Sequence, residues 1–303
     1  MPFSSFGFSD PISQAISNAG FSTPTRIQEK VIPLVLEHKD ILARAQTVSG
    51  KTASFVLPVI ELFSKTRGEG KAKIKVLVLT PTRELTLQVA SAFEEFGNHF
   101  SRPLKVVSVI GGKSIGDQLY DIQQGCDIVV ATSGRLLDII SKKQMNLSKL
   151  EFFILDEADR MLDVGFAEEL DLILKEIPKT RQNLLCSAIY RPKMQSIMQK
   201  ITSTAVEVSI EEQATVTEIH QRAINVNREN RGPLLRHLLK KHQWSQILVF
   251  MANKRASDNI AAKFRKYGID AESFHGNLTQ DDRNLTLKDF KAKQIQILFS
   301  TDL

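Results

Sequence analysis

The chain has 303 residues, with 42% hydrophobic and 24% charged side chains. This composition excludes a disordered protein, a collagen and a coiled coil, and the length favours two globular units. Residues 1–217 carry 25 basic and 25 acidic side chains, whereas the remainder carries 15 basic and 9 acidic ones. Two interpretations of that basic excess stay open, a solvated surface and a nucleic-acid surface.

The amino-terminal segment has no basic cluster before an apolar run, so no secretory signal is predicted. No apolar run approaches the roughly 20 residues of a membrane span. Cys126 and Cys186 each stand in an apolar run, which favours two core thiols in a reducing compartment over a disulfide or a zinc site. A cytoplasmic protein without membrane contact is therefore expected.

Short apolar, β-branched runs alternate with amphipathic helical stretches along the first two thirds of the chain. The predicted strands are 41–43, 76–80, 106–110, 128–132, 152–155, 184–187 and 206–210. This alternation predicts an α/β fold in which helices cover a parallel sheet.

A polar stretch, 211–217, follows the seventh strand and is predicted to be a linker. The same rhythm then resumes with candidate strands at 219–226, 247–250, 271–274 and 295–300. We therefore predict one domain over 1–210 and a second over 218–303. The second has four candidate strands against seven, so an incomplete domain is expected.

Residues 45–52, Ala-Gln-Thr-Val-Ser-Gly-Lys-Thr, follow a predicted strand and precede a helical stretch, as a phosphate-binding P-loop requires. Backbone N–H groups would hold phosphate oxygens, Lys51 would reach the β and γ phosphates, and Thr52 would offer its hydroxyl to Mg²⁺. A plain helix start is the alternative. The predicted ATP-binding residues here are Ala45, Gln46, Thr47, Val48, Ser49, Gly50, Lys51 and Thr52.

The strand at 152–155 leads straight into Asp156-Glu-Ala-Asp159. In P-loop enzymes an Asp at this point holds Mg²⁺, partly through water, and a Glu positions the attacking water. A solvated turn or a helix cap is the alternative, which the upstream loop disfavours. The predicted catalytic residues are Glu157, Asp156 and Lys51, the metal ligands are Thr52 and Asp156, and the cofactors are ATP and Mg²⁺.

Asp156-Glu-Ala-Asp159 and the P-loop together resemble the DEAD-box RNA helicases, and the likeness covers essentially the whole chain. Residues 21–28 resemble the Q motif of that family, placed within about residues 1–29, with Phe6 as its preceding isolated aromatic. The resemblance implies that Phe21 stacks on adenine, that Gln28 hydrogen-bonds the adenine edge and that Thr25 belongs to the same site. It also implies two tandem RecA-like domains, the second incomplete.

Further segments of the chain resemble the RNA-binding motifs of the family, and they occur in the same order as in the family. Arg83 and Arg135 stand just past apolar strands, where they could meet an RNA backbone, although a surface ion pair is the alternative for each. The implied partner is single-stranded or partly duplex RNA, in a process such as ribosome assembly or RNA decay. The implied RNA-binding residues are Pro81, Thr82, Arg83, Gly112, Thr132, Gly134, Arg135, Asn253, Lys254, Gly276, Gln280, Arg283 and Thr301.

The sequence departs from the family pattern at three points. Val48 stands where the family has Gly, and a β-branched residue resists a positive φ, so weakened ATP binding is expected. In the segment Ser187-Ala188-Ile189, which resembles the motif coupling ATP to RNA, Ile189 replaces Thr, so weaker coupling is expected. The His-Arg-x-Gly-Arg motif of the family does not occur in these residues, so a C-terminally truncated helicase is expected.

The resemblance implies an ATP-dependent RNA helicase that binds single-stranded RNA and locally unwinds short duplexes. The alternative is a catalytically impaired or truncated remnant that acts as an RNA-binding or interaction protein. A DNA helicase or translocase is disfavoured, because Asp156-Glu-Ala-Asp159 with an upstream Q motif is the form of the RNA-dependent family.

Overall fold

The computed structural model describes residues 2–45, 49–68, 70–163, 166–189, 192–210 and 220–301. The chain divides into two compact units, Met1–Thr215 and Val216–Leu303. Each unit has its own parallel sheet and its own apolar core. Within the described ranges, no helix is both long enough and apolar enough to cross a membrane.

The first unit is built on a sheet of seven parallel strands. They are β1 Ile41–Arg44, β2 Val76–Leu79, β3 Val106–Val109, β4 Ile128–Ala131, β5 Phe152–Leu155, β6 Gln182–Ser187 and β7 Val206–Ser209. Their order across the sheet is β3, β4, β2, β5, β6, β1, β7. Each of the seven apolar runs predicted from the sequence therefore contains a strand.

Helices cover both faces of this sheet. They are α1 Asp10–Asn18, α2 Arg26–Leu36, α3 Lys51–Thr66, α4 Arg83–Gly97, α5 Ile115–Gln123, α6 Ser133–Ile140, α7 Ala158–Asp163, α8 Phe166–Glu176 and α9 Pro192–Ile201. Apolar residues of α1 to α4 pack in the core on one face, and those of α5 to α9 pack in the core on the other.

Alternate residues of the inner strands contribute to the two cores. On β2, Val76 and Val78 belong to one core, and Leu77 and Leu79 belong to the other. A strand that is buried on both faces needs a continuous apolar run rather than an alternating one, which is the pattern of the sequence.

The parallel direction of the strands brings their carboxyl ends to one edge of the sheet, here called the carboxyl edge. The segments that follow β1, β5 and β6 are neighbours there, and so are those that follow β2, β4 and β3. Ligands of open α/β sheets bind outside the carboxyl ends of the strands, so this edge is where a site is expected.

The second unit has a smaller parallel sheet of β8 Ile247–Phe250, β9 Ala271–Phe274 and β10 Ile297–Ser300, in the order β8, β10, β9. Its helices are α10 Arg231–His242, α11 Lys254–Arg265 and α12 Gln280–Lys291. The α11 helix packs against β9 and β10, with the rings of Phe264 and Phe299 at 5.2 Å.

These two units confirm the predicted α/β fold class, and the second has fewer strands than the first. The strand predicted over 219–226 is wrong over its described part, 220–226, which forms no strand. Gln221 and Arg222 interrupt its apolar alternation, and Ile224 is 52% exposed. The stretch therefore offers no continuous apolar face for a sheet to bury. Both predicted core cysteines, Cys126 and Cys186, are buried free thiols.

Candidate functional site

The loop after β1 leads directly into α3 at Lys51. Gly50 precedes the helix with a left-handed φ of 87°. Lys51 is 6% exposed, and its Nζ has no hydrogen-bond partner within the described residues. Thr52, the second residue of α3, is half-buried. Because a buried ammonium group without a partner is costly, the side chain of Lys51 is suited to receive an anion.

Gln46, Thr47 and Val48 of the predicted P-loop lie outside the described residues. On one side of them, the Ala45 amide donates to the carbonyl oxygen of Ser187 at 3.1 Å. On the other, Ser49 Oγ is buried and has no hydrogen-bond partner in the described part of the chain. The loop thus leaves β1 beside the end of β6.

Gln28 on α2 fixes the backbone of Gly50. Its Oε1 accepts a hydrogen bond from the Thr25 amide at 2.9 Å, and its Nε2 donates to the Gly50 carbonyl oxygen at 3.1 Å. A Cβ at position 50 would lie 2.6 Å from Gln28 Nε2 and 2.9 Å from Thr25 Oγ1. Glycine is therefore favoured here by close approach as well as by its φ. The adenine contact of Gln28 and Thr25 stays a prediction.

Phe21 belongs to an aromatic cluster at the amino terminus. Its ring stacks on Phe3 at 6.2 Å and lies 5.9 Å from Phe96. Phe6 contacts the edge of Phe3 rather than Phe21. Phe21 is still 38% exposed, so part of the side chain stays open to a ligand. The ring therefore packs in the fold, and its stacking on adenine stays a prediction.

Asp156 and Glu157 directly follow β5. Asp156 is 3% exposed, and its Oδ1 accepts a hydrogen bond from the Glu157 amide at 3.0 Å. Glu157 has a left-handed φ of 51°, which is uncommon for a residue with a side chain. Its carboxylate lies 3.2 Å from Arg160 Nη1. The turn therefore places one carboxylate inside the fold and the other nearer the surface.

Burial raises the pKa of Asp156 to about 6, from an ordinary value of 3.8. The Lys51 ammonium acts in the opposite direction, and the neighbouring Glu157 carboxylate adds to the rise. The ends of β1 and β5 thus bring a buried cation and a buried carboxylate into one electrostatic site. Such strongly perturbed groups are typical of functional sites.

Asp159 joins the end of β5 to the end of β6. Its Oδ1 lies 2.9 Å from Ser187 Oγ and accepts a hydrogen bond from the Ala188 amide at 3.3 Å. Ser187 Oγ also lies 2.8 Å from the Ile189 carbonyl oxygen. The Ile189 side chain is 52% exposed. The predicted coupling segment is therefore bonded to the acidic turn through Ser187 and Ala188, while the Ile189 side chain faces solvent.

Arg83 and the two glycines after β3 form one contact on the carboxyl edge. A Cβ at Gly111 would lie 3.3 Å from Arg83 Nη2, and one at Gly112 would lie 2.5 Å from Arg83 Nη1. Gly112 also has a φ of 83°. Thr82, which precedes Arg83, caps α4 by accepting a hydrogen bond from the Leu85 amide at 3.2 Å, and Pro81 is half-buried.

Arg135 lies after β4 on the same edge. Its Nη1 donates to the Lys113 carbonyl oxygen at 3.0 Å, and its Nε lies 3.9 Å from Asp138 Oδ2. The Thr132 amide donates to the Val109 carbonyl oxygen at 3.0 Å. Apart from its chain neighbours and the backbone of its own helix, the nearest described atom to a Cβ at Gly134 would be Glu169 Oε1 at 3.9 Å, so the backbone there is open to a ligand.

The predicted RNA-binding residues of the second unit fall into two groups. At strand ends, Asn253 Oδ1 accepts from the Ala256 amide at 2.8 Å, Lys254 Nζ donates to Asn277 Oδ1 at 2.7 Å, and Gly276 is half-buried. The other group, Gln280, Arg283 and Thr301, has buried side chains. The Arg283 guanidinium lies 5.3 Å from the centre of the Phe274 ring. RNA contact by these residues stays a prediction.

Two residues near the site were not among those predicted from sequence, Asp159 as a bonded partner of Ser187 and Phe3 as the ring stacked on Phe21. Asp159 stands three residues after Asp156, so the acidic pattern was visible, but its partner is 28 residues away. Phe3 is one of three closely spaced phenylalanines, and the resemblance to the family singled out Phe6 rather than Phe3.

The comparison with protein families identifies the class to which this arrangement belongs. The family model described as DEAD/DEAH box helicase matches residues 25–197, and the model of the helicase conserved C-terminal domain matches residues 230–303. The chain belongs to the DEAD-box RNA helicase family. This family is one of ATP-binding hydrolases that act on RNA.

Curated relatives align with the whole chain. A probable ATP-dependent RNA helicase of Methanocaldococcus jannaschii is 38% identical over 100% of this chain and 80% of its own length. The helicase CshA of Streptococcus pneumoniae is 38% identical over 100% of this chain and 57% of its own length, and RNA helicase CrhR of Synechocystis is 33% identical over 99% and 60%. The chain thus spans less than two thirds of the length of CshA and of CrhR.

Solved structures share the fold. A DEAD box protein from Methanococcus jannaschii is 38% identical, with a TM-score of 0.66 over 100% of this chain and 80% of that one. Saccharomyces cerevisiae Dbp5 bound to RNA and ADP BeF3 is 24% identical, with a TM-score of 0.81 over 99% of this chain and 75% of that one. Both units are therefore RecA-like.

Proposed function

We propose that this chain is an ATP-dependent RNA helicase that binds ATP and single-stranded RNA and separates short duplexes. One observation carries the proposal: the buried Lys51 Nζ, which has no partner in the described residues, acts on the buried carboxylate of Asp156 at the carboxyl edge. A buried cation beside a carboxyl group that can ionise is suited to bind phosphate groups together with their metal counter-ion. The relatives named above as RNA helicases support the same conclusion.

The ATP end of the proposal assigns a role to each side chain. Lys51 neutralises charge on the β and γ phosphates, the backbone N–H groups at the start of α3 hold phosphate oxygens, and Glu157 orients the attacking water. Gln28 holds the Gly50 carbonyl oxygen through its Nε2, and Phe21, which is 38% exposed, stacks on the base. These assignments rest on the matched motifs and on the contacts around Gly50.

The residues present fit a magnesium ion. Mg²⁺ prefers oxygen ligands, and the Thr52 hydroxyl and the Asp156 carboxylate supply them. The pKa of Asp156 at about 6 leaves that carboxylate mostly ionised at neutral pH. When bound, Mg²⁺ would neutralise negative charge on the phosphate oxygens.

The RNA end of the proposal uses the segments that follow β2, β3 and β4. Arg83 and Arg135 offer guanidinium groups to the phosphates, and the open backbone at Gly134 allows close approach. Asp159, bonded to Ser187 and Ala188, connects the acidic turn with the coupling segment. We assign contacts with RNA also to the residues of the second unit named above.

The proposal includes a division of the chain into a first domain over 1–210, a linker over 211–217 and a second domain over 218–303. It also includes a cytoplasmic location, because two buried free thiols suit a reducing compartment.

Phosphate release from ATP, measured with and without single-stranded RNA, tests the proposal. The Glu157→Gln variant supplies the background, because it keeps the shape of the side chain and removes the carboxylate. RNA-stimulated release above that background is expected. No release, together with retained RNA binding, would instead support the impaired remnant that acts as an RNA-binding protein.

Val48→Gly is the second variant to measure. It restores the family residue at a position outside the described residues, and we expect tighter ATP binding because Gly adopts a positive φ freely. Equal ATP affinity of Val48→Gly and the natural chain would show that Val48 does not weaken the site.

A further inference from the structure

The basic excess of the second unit is concentrated on α10. This helix carries four cationic side chains, two histidines and no acidic residue. In the described residues, the ion pairs of this unit join Arg265 to Glu272 and His275 to Asp258, and neither involves α10. Of the RNA-binding residues proposed above for this unit, only Lys254 and Arg283 are cationic. The charge on α10 is therefore unexplained by the proposed function.

One face of α10 borders a cavity of about 530 Å³. Arg236, His237 and Lys240 line it, and their spacing along the helix places them on a single face. Tyr267 and Gln296 line the same cavity. Like charges four residues apart repel each other on a helix, so an anion in this cavity would be favoured.

Aromatic rings accompany these cations. The Arg236 guanidinium lies 3.9 Å from the centre of the Tyr267 ring, and Tyr267 is 48% exposed. At the end of the helix, Trp244 is 40% exposed and stacks on His242, with ring centres 5.0 Å apart. Cationic side chains interleaved with exposed rings are the features that bind single-stranded nucleic acid, where phosphates meet cations and bases stack on rings.

This surface lies away from the RNA-binding residues proposed for the second unit. Tyr267 and Gln296 precede β9 and β10, whereas Asn253, Gly276 and Thr301 follow strands. The two sets thus lie at opposite edges of the small sheet. A strand of four residues spans roughly 13 Å, so the two edges would contact different stretches of one RNA.

We infer that Arg236, Lys240 and Tyr267, here called the α10 surface, form a second binding surface for single-stranded RNA. Phosphates lie against Arg236 and Lys240, and a base stacks on the exposed part of Tyr267. This inference rests on the proposed RNA helicase function. Exposed rings stacked with flat cationic groups favour RNA over an acidic protein segment, because the segment would use the charge but not the rings.

The test compares two double variants that each remove two exposed or half-buried positive charges from a helix of the same unit. Arg236→Gln with Lys240→Gln changes the α10 surface, and Lys288→Gln with Lys291→Gln on α12 is the matched control. Fluorescence anisotropy measures binding of single-stranded RNAs of roughly 8 and roughly 25 nucleotides, of which the first lies within the usual site sizes of about 4 to 16 nucleotides and the second exceeds them.

The α10 variant is expected to bind the long RNA about tenfold more weakly, with a salt slope shallower by about 1.4 for two lost phosphate contacts. Its affinity for the short RNA stays close to that of the natural chain. The α12 variant keeps both affinities. Tyr267→Ala is expected to weaken binding of the long RNA several-fold, and Tyr267→Phe, which keeps the ring, is not.

Four outcomes overturn the inference. Equal loss of RNA affinity in the two double variants would show a general effect of net charge. No loss of RNA affinity in the α10 variant would exclude the α10 surface as an RNA-binding surface. In that case, RNA binding by the natural chain would still support the proposed function. Competition by poly-glutamate as strong as by RNA would point to an acidic protein. Failure of the natural chain to bind either RNA would overturn this inference and the RNA helicase function together.

Discussion

Ser187 Oγ lies 2.9 Å from Asp159 Oδ1, in a contact that is buried and spans 28 positions of the sequence. Ser187→Ala removes this partner and leaves the Ala188 amide as the remaining described donor to Oδ1. Hydrogen bonds to charged groups contribute about 1.5 to 3 kcal/mol, so we expect a loss of that order in the free energy of unfolding, measured with urea. Ser187→Thr keeps the hydroxyl and is the control.

Ile189→Thr changes function more than stability. Because the Ile189 side chain is 52% exposed, the free energy of unfolding is expected to stay within about 0.5 kcal/mol of the natural value. The hydroxyl restores the family residue of the coupling segment, so the ratio of duplex separation to ATP hydrolysis is expected to rise. An unchanged ratio, measured in one assay of both activities, would contradict the coupling role.

Asp156→Asn is expected to stabilise the fold at neutral pH. The native pKa of about 6 lies above the ordinary 3.8, so the folded chain holds a proton that the unfolded chain has lost between those pH values. Below pH 3.8 both the folded and the unfolded chain hold the proton, and this group does not lower the free energy of unfolding. That free energy falls as the pH rises from 3.8 through 6, because the unfolded chain loses its proton first. At pH 7.5 the ionised side chain therefore destabilises the fold by on the order of 3 kcal/mol.

Asn keeps an oxygen that can accept from the Glu157 amide, so a gain of about 1 to 3 kcal/mol is expected at pH 7.5, and the gain shrinks toward pH 5. Urea unfolding at both pH values measures it, and ATP hydrolysis is lost. Glu157→Gln serves as the control because its side chain is nearer the surface. A pH-independent difference between Asp156→Asn and the natural chain would contradict the raised pKa.

Gly50→Ala separates close contact from backbone strain. Gly20 has a similar φ of 74°, but a Cβ there would meet nothing within 4 Å. Both substitutions carry the backbone cost of about 1 kcal/mol, and only Gly50→Ala adds the contacts with Gln28 and Thr25. We expect Gly50→Ala to lower ATP affinity at least tenfold, measured by nucleotide titration, and Gly20→Ala to leave it unchanged. Equal affinities would show that Gln28 moves aside freely.

Arg83→Gln is expected to weaken RNA binding and to leave ATP affinity unchanged. Loss of one phosphate contact should make the salt slope of single-stranded RNA binding shallower by about 0.7. The exposed Lys142 offers a control of equal charge, since Lys142→Gln removes a cation that no motif includes. If both variants had the same slope, Arg83 would have no specific contact with the backbone.

The sequence was sufficient for the inner strands of the first unit because they are buried on both faces. A four-residue run such as Val76–Leu79 has no polar residue, and a short run of this kind is typical of a buried strand of a parallel sheet. The run at 219–226 failed because its polar residues interrupt that signal. The prediction of Lys51, Asp156 and Ser187 as site residues used their positions at or shortly after the ends of these apolar runs.

The contacts of the site were not predictable in the same way, because each joins residues that are distant in sequence. Gln28 and Gly50 are 22 positions apart, and Arg83 reaches glycines that follow a different strand. These contacts depend on the order of the strands across the sheet, and no local sequence pattern encodes that order. The left-handed backbone of Glu157 is likewise set by the turn in which it lies.

The position of β1 within the sheet has a consequence for how the protein is made. Among the described strands, β1 hydrogen-bonds to β6 and β7 alone. During synthesis from the amino terminus, β2, β3 and β4 can pair as soon as residue 131 has emerged, whereas β1 has no neighbouring strand until residues 182–187 follow. The proposed nucleotide site therefore cannot assemble until residue 187 has emerged, after which only β7 among the described strands remains to join this sheet, so we expect a nascent chain to bind ATP only after that point.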